Sequence, residues 1–200
     1  MLFRDDAAGL RRRARPGERI DPAQAGRKPI KLGVICDGIG RDLRHAVDVM
    51  DEFGLDHAEL RFVGDTEVGD HSAAAVAEID RLLRDRGRPV RCLSRHIFAG
   101  MTKDNRHGDD LHARHIDALR RAIDMAHVGG SPLVRIVTPK TGQILRVSCG
   151  AEKWNVAPGA WDAMLPLIAP ACDVARDAGV MLVVETGNGT MVNSNDTARR

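Results

Sequence analysis

No apolar run in this chain approaches the length needed to cross a bilayer. No apolar core interrupts residues 1–29, so no secretory signal is read there. Paired cysteines are lacking too. Cys36, Cys92, Cys149 and Cys172 are scattered, with no Cys-x-x-Cys spacing. They read as reduced thiols, mostly buried as small hydrophobes, in a soluble cytoplasmic protein. An excess of one charge is also missing, with 30 Lys and Arg against 28 Asp and Glu. That balance argues against a generic nucleic-acid binder. There is no Gly-x-Ser-x-Gly and no P-loop, which excludes two common routes to acyl and phosphoryl transfer. No Gly-x-Gly-x-x-Gly follows the first apolar run; Cys36-Asp37-Gly38-Ile39-Gly40 is a weak echo of it. These absences predict neither a nucleic-acid nor a membrane partner.

What is present is a repeat. Residues 1–29 carry Arg, Asp, Gly and Pro without periodicity and read as a mobile tail, with Arg11-Arg12-Arg13 solvated. From Ile30 the pattern alternates, and 30–200 reads as one domain. Strands are predicted at Ile30–Cys36, His57–Val63, Val90–His96, Leu133–Val137 and Val180–Glu185. Helices are predicted at Asp42–Phe53, His71–Arg86, Asp110–Val128 and Trp161–Ala178. In the last helix Trp161, Met164, Leu165, Ile168, Cys172 and Ala175 form the inward stripe, and Pro166 and Pro170 are expected to kink or delay it.

Strict alternation of strand and helix means a parallel sheet. The helices return to the next strand through a few residues, whereas the loops at 97–109 and 138–160 are long. Short returns on one face and long loops on the other describe a (β/α)8 barrel of the TIM type, with a doubly wound sheet as the runner-up. A whole barrel of this kind has eight units and about 250 residues. Five units are read here, and Ser194-Asn195-Asp196 looks like the cap of a further helix. The expectation is an N-terminal part of a barrel. Its open edges predict association, as a homo-oligomer, or poor solubility.

The chemistry is read from the strand ends. Gly179-Val180-Met181-Leu182-Val183-Val184-Glu185 is an apolar run that stops at a carboxylate. In barrels that end of a strand is the ligand-binding rim, which makes Glu185 the first candidate. Gly187-Asn188-Gly189 lets the backbone turn close to a bound group. Glu59 and Arg61 share one face of the second strand, where charge is costly unless paired or used. They pair with each other or with neighbours, or they serve a site. In the third strand Val90, Cys92, Ser94 and His96 share a face, with His96 at the end as a ligand or a hydrogen-bonded core residue. Arg135, in the fourth, is placed to bind an anion or neutralise a carboxylate. Asp37 ends the first strand at the same rim. Asp37, His96, Arg135 and Asn188 are the candidate substrate contacts, and Glu185 and Glu59 the candidate catalytic groups. His112 and His115, three apart on one helix, are a weak zinc signal.

Two motifs carry a resemblance. Gly54-Leu55-Asp56-His57-Ala58-Glu59-Leu60 resembles the second strand of the xylose-isomerase-like TIM barrels, and Ala178 to Glu185 resembles their fifth. That family holds sugar phosphate isomerases and epimerases, with inosose dehydratase-like and apurinic endonuclease-like relatives. The resemblance implies that Glu185 binds a divalent metal (Mn, Mg, Co or Zn) and exchanges a proton with a sugar-like substrate. It also implies that an Asp, a His and a second Glu from later strands complete the metal site. The expected activity is isomerisation or epimerisation of a sugar, a sugar phosphate or a related polyhydroxy-carbonyl compound. A dehydratase-like lyase and a non-catalytic binding module are the alternatives. Proton transfer beside a carbonyl needs a base near the carbon and a cation near the oxygen, which is why a carboxylate is wanted at this rim.

Overall fold

The computed structural model describes residues 30–140, 159–187, 189–194 and 197–199. The expectations for residues 1–29, Cys149, Asn188 and the cap at Asn195 and Asp196 lie outside the described residues. The elements in chain order are β1 (Gly33–Ile35), α1 (Leu43–Phe53), β2 (His57–Leu60), β3 (Phe62–Val63), β4 (Thr66–Glu67), α2 (Ala73–Asp85), β5 (Val90–Ser94), α3 (Asp110–Val128), β6 (Leu133–Ile136), α4 (Ala160–Asp177) and β7 (Met181–Val184). Single 3-10 turns lie at Cys36–Gly38 and Thr197–Arg199.

The main sheet is parallel throughout, in the order β1-β2-β5-β6-β7. Apart from the inserted β3–β4 hairpin, spatial order follows chain order. This is the wall of a (β/α) barrel through five units, and it excludes a doubly wound sheet, whose strand order reverses. Among the described residues no helix is long and apolar enough to cross a membrane.

The helices form where capping and periodicity agree. Asp42, Ser72 and Asp109 each accept a hydrogen bond from a backbone N–H in the first turn of α1, α2 and α3. Gly54, in the left-handed region, closes α1. Ala46, Val47 and Met50 of α1, Leu83 of α2, Leu119 and Ala122 of α3, and Leu167 and Ala171 of α4 are buried in one core. From the sheet, Ala58, Leu60, Leu93, Val134 and Ile136 meet them. Each large apolar side chain buried this way contributes about 1.5–3 kcal/mol.

The structure redraws four local expectations. The second strand ends at Leu60, and the chain folds into the short antiparallel hairpin β3–β4. Gly69, at the foot of that hairpin, has φ +87°, and a Cβ there would lie 2.8 Å from the backbone N of Ala122 in α3. The third strand carries an irregularity: Ala58 pairs with Val90 but Glu59 pairs with Cys92. The extra residue, Arg91, turns Val90 to the helix layer and leaves Cys92 and Ser94 on the inner face. Finally, α4 starts at Ala160 and runs unbroken through Pro166 and Pro170. Its buried stripe is Ala160, Met164, Leu167, Ala171 and Ala175. Leu165 and Cys172, expected inward, are exposed because the stripe passes one residue to their side, and Phe53 at the end of α1 is exposed too.

Candidate active site

The inner face of the wall is where the charges meet. Alternation along β2, β5 and β6 sends Leu60, Leu93, Val134 and Ile136 to the helices and leaves Glu59, Ser94 and Arg135 on the other face. Register puts Ser94 beside Arg135 and Arg135 beside Val183, two residues before Glu185. Glu185 follows the last residue of β7, and its N–H donates to the carbonyl of Ile136 at 3.0 Å. It therefore stands at the C-terminal end of the wall.

Arg135 joins the two glutamates. Its side chain is 8% exposed; Nε lies 3.5 Å from Glu59 Oε1, and Nη1 is in direct contact with Glu185 Oε2. Both contacts pair the buried guanidinium with a carboxylate. Burial pulls the Arg135 pKa down and Glu59 opposes that pull; a guanidinium stays charged throughout. Ser94 Oγ donates to Glu59 Oε1 and holds that carboxylate against the wall. Glu185, 48% exposed, faces the open mouth.

Glu59 does not pair with Arg61. Arg61 turns to Asp37, donating from Nε at 3.0 Å and from Nη2 at 2.8 Å to a single oxygen. The Asp37 side chain is 2% exposed, and its other oxygen, Oδ1, is buried without a hydrogen-bond partner among the described residues. As a substrate contact Asp37 thus has one free acceptor and one committed oxygen.

His96 stands apart. It is exposed beyond the end of β5, and both its backbone N–H (3.0 Å) and its Nδ1 (2.7 Å) bond to Oε1 of Glu67 in the hairpin. Arg95 beside it is buried, donating to the carbonyl of Val68 and, at 2.5 Å, to Asp70. Together they fasten β3–β4 over the end of β5. The histidine pair on α3 is not a zinc site. His112 Nε2 donates to the carbonyl of Leu167 at 3.0 Å and its Nδ1 accepts from Gly108 N–H at 3.3 Å. His115 Nδ1 accepts from Phe98 N–H at 3.1 Å. Both rings are used by the fold.

The thiols offer no nucleophile here. Burial pushes Cys36 up to about 12, with Asp37 and Glu59 adding to the shift. Burial also raises Cys92, with Glu59 again adding. A thiolate is the reactive form, so both are inert at neutral pH.

Sequence reasoning placed Glu59 and Arg135 on their strands and Glu185 at the end of its own, one residue beyond where β7 stops, and read Arg135 as able to neutralise a carboxylate, but it did not name both glutamates as its partners, nor assign Ser94 to Glu59. The available signal was the shared face of Cys92 and Ser94, small residues that leave room for a neighbouring carboxylate.

Compared with known proteins, the chain matches the family described as xylose isomerase-like TIM barrel over residues 47–200. The chain belongs to that family. No curated protein sequence gives a significant match. Solved structures align closely in fold. A probable 3-DHS dehydratase involved in petrobactin synthesis from Bacillus anthracis aligns with TM-score 0.63 at 13% identity, over 85% of this chain and 57% of that one. A D-allulose 3-epimerase from Methylomonas sp. aligns with TM-score 0.60 at 15% identity, over 86% and 58%. A xylose isomerase-like TIM barrel protein from Mycobacterium smegmatis, in complex with magnesium, aligns with TM-score 0.52 at 18% identity, over 77% and 49%. The chain spans about half to three-fifths of the length of these structures.

A divalent metal of the kind the resemblance implies does not find its ligands here. Among the described residues no three His, Cys, Asp or Glu side chains converge. Glu185, the residue matched to a metal ligand, has one oxygen against Arg135. These residues alone do not fit the ion.

Proposed function

We propose that the whole protein is an isomerase or epimerase of a small polyhydroxy-carbonyl compound, a sugar or sugar phosphate, and that Glu185 exchanges the proton beside the carbonyl. The observation that carries this reading is the position of Glu185: a half-exposed carboxylate at the C-terminal end of a barrel strand, beside a buried cation. A base at that end meets substrate bound in the mouth, and the family is one in which sugar isomerases and epimerases are common.

Each residue then has a task. Glu185 accepts the proton and returns it. Glu59, held by Ser94 and Arg135, accepts a substrate hydroxyl and fixes the ring or chain in register. Asp37 Oδ1, buried and unmatched, takes a second hydroxyl. The hairpin fastened by Glu67 to His96 narrows the mouth on one side. The divalent ion belongs to this reading as a property of the whole protein, to which these residues bring one carboxylate.

The test is exchange of carbon-bound hydrogen for deuterium in D2O, followed by proton NMR on a panel of ketoses and ketose phosphates with added Mn2+. Glu185→Gln keeps the shape of the side chain but cannot take a proton, so exchange should fall by about 10³-fold or more, the scale of a lost general base. Glu59→Gln should cost less. Wild-type exchange in Glu185→Gln would remove the role given to it. Loss of a hydroxyl to give an unsaturated product would redirect the reading to a lyase, which shares the first proton transfer.

A further inference from the structure

The turn beyond β5 is held in an unusual way. Ala99 N–H donates to the carbonyl of His96 at 3.2 Å, which closes a turn over 96–99. Phe98, third in that turn, has φ +66°, and it is the only non-glycine residue at positive φ among the described residues. That place in a turn, at positive φ, normally takes glycine or asparagine. A bulky side chain there is strained, and it persists only where its surroundings hold it. Two contacts do so. The Phe98 ring is fully buried against His112 and His115, with centroids 6.1 and 5.9 Å away. The Phe98 N–H donates to Nδ1 of His115 at 3.1 Å. An imidazole accepts only when neutral, so the ring's own proton sits on Nε2, which is buried without a hydrogen-bond partner among the described residues. The same segment also ties the neighbouring rim. Val137 N–H donates to the Ile97 carbonyl at 3.3 Å and Lys140 N–H to the Met101 carbonyl at 2.8 Å, both just past β6. His96, first in the turn, carries the bond to Glu67 that fastens the hairpin.

We infer that residues 96–101 are a pH-sensitive latch on the mouth: the neutral His115 ring keeps it shut, and a proton on that ring releases it. A protonated imidazole donates from both nitrogens. Nδ1–H would then face the Phe98 N–H, two donors with no acceptor between them. Swinging the turn away relieves that conflict and returns Phe98 to an ordinary negative φ, so the strain acts in the same direction. The surroundings of the ring agree with this. Burial holds the His115 pKa below its ordinary 6.5, and His112 and Arg114 from α3 and Arg95 from beyond β5 add to the shift, against a backbone bond near Ala99. Arg95 is itself paired with Asp70 and Glu67, and His96, the other histidine on the turn, is bonded to Glu67. The ring in the shut turn therefore stays neutral at a pH where the ring of an open turn takes the proton, and acid draws the latch open. Opening frees the N–H groups of Val137 and Lys140 and slackens His96, so the ends of β5 and β6 and the hairpin loosen together. The latch is independent of which reaction the mouth performs.

The test is amide hydrogen exchange of the full chain, read by NMR at pH 7.5 and 5.5 and corrected for intrinsic rates. Phe98 and Ala99 should exchange through an opening more frequent than the one that exposes Leu119 and Val134 in the core. An exposed histidine of pKa about 6.5 is charged about ten to one at pH 5.5, so that opening should become about tenfold more frequent there. Ring nitrogen shifts from the same protein should show His115 Nδ1 without a proton at pH 7.5. His115→Gln keeps an acceptor but does not titrate, so the pH effect on the turn should vanish in it. His96→Gln removes the other histidine and should keep the effect. Phe98 exchange in wild type that is unchanged between the two pH values overturns the inference. So does Phe98 protection equal to that of the core, which would mean that the turn opens only with the whole fold. A proton on Nδ1 at pH 7.5 overturns it with no variant needed. A pH effect that survives in folded His115→Gln, or disappears in His96→Gln, assigns the effect to another group and overturns it too.

Discussion

Arg61 and Asp37 form a one-sided pair: two guanidinium donors go to one carboxylate oxygen, and the other oxygen is sealed in without a partner among the described residues. The two residues follow β2 and β1, so the pair ties neighbouring strand ends at the rim. Removing the arginine leaves a buried, uncompensated carboxylate. Arg61→Met is expected to lower stability by about 3 kcal/mol, read from urea unfolding midpoints. Asp37→Asn should cost clearly less, because the amide carries no charge to strand. Equal losses would show that the pair acts through packing alone.

The α3 histidines give a second expectation. His112 satisfies a donor just ahead of its own helix, Gly108 N–H, and an acceptor on a distant one, the carbonyl of Leu167. His112→Leu fills similar space but leaves both groups unmatched, at a cost of about 2–3 kcal/mol. Zinc added to wild type should leave the melting temperature unchanged, since both ring nitrogens of His112 are engaged. A zinc-dependent rise lost in His112→Leu would restore the metal reading of this pair.

A third expectation concerns pH. Burial holds the His115 pKa below its ordinary 6.5, with His112, Arg114 and Arg95 adding to the shift and a backbone bond near Ala99 opposing it. The unfolded chain therefore takes up the proton first as pH falls. Stability from this group is complete above about pH 6.5 and is lost as pH drops toward the folded value. Urea midpoints at pH 7.5 and 5.5 should differ in wild type, and the difference should shrink in His115→Gln. An unchanged slope in that variant would assign the effect to other groups.

Much of this was legible in the chain because the relevant signals are local. The apolar run ending at Glu185 is a strand in any arrangement, and alternation alone put Glu59 and Arg135 opposite the helix-facing residues. The β3–β4 hairpin was missed although Gly64-Asp65, between Phe62-Val63 and Thr66-Glu67, is a recognisable two-residue turn; the longer apolar pattern of 57–63 outweighed it. Arg91 was different. Nothing local marks it as the extra residue in β5, because a bulge is defined by the partner strand. The stripe of α4 failed for a related reason. Trp161, Leu165 and Cys172 fit a helical period as well as Ala160, Leu167 and Ala171 do, and only the sheet beneath decides between two apolar stripes that lie side by side. Arg61 and Arg135 show the limit for charges: three acids (Asp37, Glu59 and Glu185) and two bases lie near the rim, and the choice of partner was settled by which strands stand next to each other.

The bridge through Arg135 also bears on how this site can change over generations. Its three members come from β2, β6 and the end of β7, far apart in the gene, yet the side chain in the middle is charge-matched to both of the others. Loss of the arginine first would leave two glutamates at the rim without the cation that pairs both. Loss of Glu185 first would leave a buried cation with an empty side. Viable descendants therefore pass through a narrow order of replacements, in which the exposed member, Glu185, can be exchanged only for something that Arg135 can still hold. Related barrels that lack an arginine at this position should differ from this chain at the Glu59 position as well.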